Sequence, residues 1–126
     1  MPVARFFFDA GSGIALWGSP QADGQGEYDL VLDLSELPVS QALRHDLENL
    51  AALYDTSLNW DYPPDPGPWR EPQCREFNLS VHQVIQRLRQ ELGPSWQIHD
   101  QFTELHEDPD LDRYLADPAG FKRTPR

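Results

Sequence analysis

Glu71-Pro-Gln-Cys-Arg-Glu-Phe77-Asn-Leu-Ser-Val81-His-Gln-Val84-Ile85-Gln-Arg-Leu88-Arg-Gln-Glu-Leu92-Gly93-Pro94 decides the fold. Phe77, Val81, Val84, Ile85, Leu88 and Leu92 recur at i, i+4, i+7, i+8, i+11 and i+15, the spacing of one helical face. Pro72 suits a first turn, where its missing N–H would be unpaired anyway. Glu71 stands near the positive helix end, and Arg87 and Arg89 near the negative one. Gly93 fits a C′ position, and Pro94 forbids continuation.

On either side of this helix the pattern changes. Downstream, Trp96, Ile98, Asp100 and Phe102 alternate with Gln97, His99 and Gln101, which predicts a strand. Upstream, Ser40 is a natural N-cap. Leu43, Leu47, Leu50, Ala51 and Tyr54 then share one helical face, predicting a helix over about Gln41 to Tyr54. Near the start, Val3 to Phe8 and Ile14 to Trp17 read as a hairpin around Asp9-Ala-Gly-Ser-Gly13. Tyr28 to Leu34 alternates strictly, as a half-buried strand does, and at a sheet edge it could pair with a twin. The expected order is β-β-β-α-α-β: an α+β two-layer sandwich. Its mostly antiparallel sheet of about four strands carries two helices on one face. Residues 1–106 form this single domain. Residues 107–126 form an acidic then basic tail in which Leu111, Tyr114 and Leu115 can make one short docking helix.

Composition limits the function. A chain of 126 residues is one domain by length and buries roughly two thirds of its unfolded surface. Its net charge is -11. Phe6 to Glu36 holds Asp9, Asp23, Glu27, Asp29, Asp33 and Glu36 but no Lys or Arg. A nucleic-acid binder needs a basic stripe, and an anionic membrane surface would repel such a protein. No stretch approaches the ~18 apolar residues of a membrane span, and no secretory signal is visible. The single cysteine, Cys74, permits no internal disulfide, so a cytoplasmic setting is expected. Cys74 lies where a helix end can lower a thiol pKa, but it reads better as a small, half-buried residue.

Catalytic signals are weak. His45, His82, His99 and His106 lack metal-ligand spacing. Asp9-Ala-Gly-Ser-Gly13 lacks the glycine and lysine pattern of a phosphate loop, and Gly11-Ser12-Gly13 lacks the nucleophile frame. No enzyme, cofactor or metal is therefore expected. The alternatives are a ligand pocket between sheet and helices using His99 or His82, or a purely structural module.

The loop Thr56-Ser-Leu-Asn-Trp60-Asp61-Tyr62-Pro-Pro-Asp65-Pro-Gly-Pro-Trp69 is the strongest functional candidate. Pro63, Pro64, Pro66 and Pro68 limit its freedom, so ordering it on binding costs little. Trp and Tyr are common interface anchors, and Asp61 and Asp65 beside them select a basic partner. Trp60 and Trp69 also flank helix ends and fit core packing, Trp69 as a hydrophobic staple. The candidate partner-binding set is Trp60, Asp61, Tyr62, Asp65 and Trp69, with Asp23, Glu27 and Asp29 as a second acidic edge.

Leu37-Pro-Val-Ser40, Leu53-Tyr-Asp-Thr-Ser-Leu-Asn-Trp60, Pro66-Gly-Pro-Trp69, Phe77-Asn78 and Arg89-Gln-Glu-Leu-Gly-Pro94 carry a resemblance. From Leu32 to Phe102 the chain resembles a group of short, uncharacterised actinobacterial-type proteins. In size, acidity and layout it is similar to immunity proteins of bacterial polymorphic toxin systems. That likeness implies a protein, monomeric or weakly dimeric, that neutralises a cognate toxin by binding a basic surface or active-site cleft.

Overall fold

Ala4 and Phe6 are fully buried while Arg5 between them is half-exposed, so β1 (Val3–Phe6) turns one face to the core. The computed structural model describes residues 3–18, 30–31, 34 and 37–122. β1 pairs antiparallel with β2 (Leu16–Gly18), and β2 with the two-residue β3 (Leu30–Val31). On its other side β1 pairs parallel with β4 (Gln97–Asp100) in the register Val3↔Gln97 to Phe6↔Asp100.

The mixed α+β architecture follows the sequence, but the sheet is smaller than four full strands. Its longest ladder is parallel rather than antiparallel. Of the predicted strand Tyr28–Leu34, the described residues are Leu30–Val31, which form β3, and Leu34, which lies outside the strand and packs against the core. Tyr28, Asp29, Leu32 and Asp33 lie outside the described residues.

α1 (Gln41–Thr56) and α2 (Glu71–Leu92) follow the predicted periodicities, and α1 extends two residues further than expected. The Ser40 hydroxyl accepts from the Leu43 N–H at 3.1 Å, the expected N-cap. Glu91 on α2 in turn accepts from the Ser40 N–H at 2.6 Å, tying the two helix ends together. Leu43, Leu47 and Leu50 from α1 join Phe77, Val81, Val84, Ile85, Leu88 and Leu92 from α2 over Ala4, Phe6, Leu16 and Ile98. Both helices thus feed one apolar layer.

After β4 the chain runs extended along α2. Asn78, in the middle of the apolar stripe and only 5% exposed, holds this segment with two hydrogen bonds. Its Nδ2 donates to the Leu105 carbonyl and its Oδ1 accepts from the Leu105 N–H, both at 2.9 Å. The amide behaves as a one-residue strand partner. α3 (Leu111–Ala116) follows, with Leu111 1% exposed.

Asn78→Ala leaves both Leu105 groups unpaired at a partly buried position, which costs about 1–3 kcal/mol. Urea denaturation should show that loss as a lower midpoint at an unchanged slope.

Candidate partner-binding site

An aromatic cluster supports the base of the 57–70 loop. Phe8, leaving β1, stacks on Tyr54 with ring centres 4.9 Å apart and contacts Phe77 at 5.4 Å and Phe102 at 5.7 Å. Trp69 meets Phe77 edge-to-face at 5.3 Å. Trp69 therefore anchors the loop to α2, but through Phe77 rather than the fourth helical residue that a hydrophobic staple would use. Gln73 closes the helix start by accepting from the Arg70 N–H at 3.1 Å.

Asn59 fixes the loop's shape. Its Oδ1 accepts from the Asp61 and Tyr62 N–H groups at 3.1 and 3.0 Å. Its Nδ2 donates to the Pro66 carbonyl at 3.2 Å and to the Tyr114 hydroxyl of α3 at 3.1 Å. Pro66 is buried beneath, and Gly67 passes so close to the helix end that a Cβ there would sit 2.0 Å from the Ser57 carbonyl oxygen. Such a contact forces the backbone apart.

With its base buried, the loop turns other side chains outward. Trp60 and Tyr62 are each 58% exposed. The Trp60 ring still has a fixed seat: its Nε1 donates to the Asp55 carbonyl at 2.8 Å. Asp55 also accepts from the Gly11 N–H at 2.9 Å, which brings the hairpin turn to the same end of the molecule. Asp61 is exposed and Asp65 half-buried, and among the described residues neither carboxylate has an ion pair. Burial first, and then the Asp55 and Asp9 carboxylates, push the Tyr54 hydroxyl pKa up. Asp23, Glu27 and Asp29, the second acidic edge, lie outside the described residues.

The residues considered for chemistry fall elsewhere. His82 is exposed on α2 and lies 3.1 Å from Glu104, while His99 is half-buried on β4. Two grooves of about 300 Å³ run between α1 and α2 around Leu50, Leu53 and Ser80, and neither histidine lines them. Among the described residues no three His, Cys, Asp or Glu are placed to hold a metal ion, and no helix is long and apolar enough to cross a membrane. Cys74 is buried, and its thiol pKa is pushed up by burial and then by Glu71 and Glu107. The helix end does not activate it.

A second set of contacts holds the segment beyond β4 in place and was not read from the sequence. Glu71 Oε2 accepts from the Glu107 N–H at 2.9 Å, and Glu107 Oε1 accepts from the Glu71 N–H at 3.2 Å. His106 Nδ1 lies 3.2 Å from Glu71, and Arg70 bridges Asp112 and Glu107. The readable signal for this attachment was Asn78, a polar residue inside an apolar stripe.

Mixed α+β layering and a pinned loop with outward aromatics describe a class: small two-layer proteins that hold an aromatic loop open to solvent. Within that class, this chain belongs to the Serratia CdiI immunity protein-like family, whose model matches residues 10–101. Membership in an immunity protein-like family implies a cognate toxin as partner. The matched segment contains the hairpin turn, both long helices and the whole aromatic loop, and stops short of α3. Comparison with curated proteins gives no match.

Gly67→Ala should displace the loop from the Ser57 carbonyl, lowering stability by about 1–3 kcal/mol, as overpacking does. The indole resonance of Trp60 should shift in the same variant.

Glu71 makes a second prediction. The Glu107 N–H, then His106, hold its carboxyl below the ordinary value of 4.5. A lowered folded-state pKa gives stability that is complete above the ordinary value and lost as pH falls through the lowered one. Glu71→Gln should therefore flatten the acid limb of a stability–pH curve below about pH 4.5.

Proposed function

We propose that this immunity protein neutralises its toxin in the cytoplasm by presenting the Trp60–Asp65 edge of the loop to a basic surface or cleft. One observation carries the reading: Trp60 and Tyr62 stay 58% exposed on a loop whose base is buried and pinned. Large aromatics held rigidly in water lose little entropy on binding and bury much area. Asp61 and Asp65 beside them, on a chain of net charge -11, speed encounter with a cationic partner. A toxin domain that handles nucleic acid has a cleft of that kind. An acidic plug there would exclude phosphates by bulk and by charge.

The test is binding of the toxin domain encoded beside this gene, by calorimetry at low and high salt. Tyr62→Ala should weaken binding by about 2 kcal/mol, the range of an interface hot spot. Asp61→Lys with Asp65→Lys should slow association, and raising the salt should narrow the gap to wild type. The reading fails if the wild type holds no toxin at either salt, or if double charge reversal leaves protection of toxin-producing cells intact.

A further inference from the structure

Between the loop and α3 lies an open groove of about 240 Å³, whose lining includes Trp60, Asp61 and Pro66 from the loop and Leu111, Tyr114 and Leu115 from α3. Resting on the proposed immunity reading and deepening it, we propose that this groove receives one arginine side chain of the toxin. Pro66 and Leu111 are buried beneath it, and Trp60 and Leu115, 58% and 53% exposed, stand beside it. Apolar walls of this kind cover a long methylene stem. Asp61 contributes the single carboxylate among the lining residues.

Other occupants fit less well. An anion would meet Asp61. An apolar side chain would desolvate that carboxylate without pairing it, which is unfavourable. A metabolite-sized ligand usually needs roughly 300–1,000 Å³, more than this groove holds. Arginine suits the site better than lysine, because a planar guanidinium stacks on an indole face while forking to a carboxylate.

Among the described residues, the groove's polar neighbours leave that carboxylate available. Asn59 spends its amide on Pro66, Tyr114, Asp61 N–H and Tyr62 N–H. Among the described residues, the two arginines next to the loop and on α3 are engaged elsewhere: Arg70 with Asp112 and Glu107, and Arg113 with Asp110, the Lys122 carbonyl and the Phe121 ring. The loop wall lies inside the family match, whereas the wall from Leu111, Tyr114 and Leu115 lies beyond it.

Two measurements test the proposal. In the first, ¹H–¹⁵N spectra are recorded with acetyl-arginine amide and with its neutral isostere, acetyl-citrulline amide. Arginine alone should shift the Trp60 indole and the Asp61 and Tyr62 amides, and Asp61→Asn should abolish the shifts. Equal shifts with both compounds, or none at these groups, would overturn the proposal.

The second uses the cognate toxin domain. Trp60→Phe should weaken binding little, Trp60→Ala and Asp61→Asn about tenfold each. One toxin arginine should give the same loss when changed to alanine, with no further loss on Asp61→Asn. If the wild type holds its toxin while Trp60→Ala and Asp61→Asn both bind within twofold of it, the groove assignment is wrong and the immunity reading stands. If no toxin binds the wild type, the immunity reading falls, and arginine-selective shifts alone then decide the groove.

Discussion

The need of α2 to bury one continuous apolar stripe governs the rest of the molecule. Phe77, Val81, Val84, Ile85, Leu88 and Leu92 cannot be covered by the three- and four-residue strands of this sheet alone. α1, the sheet and the segment after β4, fastened at Asn78, cover the stripe together. The 57–70 loop, proposed as the partner-binding edge, is the connection this arrangement forces between the two helices. Its position is inherited from the core.

That inheritance explains how a loop rich in aromatics stays open to solvent without collapsing. Trp69 and Pro66 satisfy the core, and Asn59 satisfies the backbone. Trp60 and Tyr62 thereby stay outside the core, each 58% exposed, as the proposed role in binding requires. A shape fixed in advance favours tight binding through slow dissociation, while scattered carboxylates favour rapid encounter.

Helices were the legible part of the sequence, because each carries its own period within one segment. Ser40, Pro72 and Gly93 marked their ends for local reasons as well. Strand pairing was less legible. Val3–Phe6 joins Gln97–Asp100 across nearly the whole chain, and no local pattern says that two strands so far apart run parallel. The loop was visible as a rigid aromatic element, but Trp60 and Trp69 have the same chemistry. What separates them is where each ring can reach: Phe77 for one, the Asp55 carbonyl for the other. The second wall of the groove was hidden because it depends on Asn59 meeting Tyr114, a contact spanning 55 positions.

The pairing of β1 with β4 also has a consequence for synthesis. Nothing can close the sheet until residues 97–100 have left the ribosome, and Tyr114 emerges later still. At about 5–20 residues per second, α1 precedes residue 100 by roughly 2–9 s, whereas α2 precedes it by only about 1 s. The α3 wall of the groove thus arrives last, and until then the loop lacks the tie between Asn59 and Tyr114.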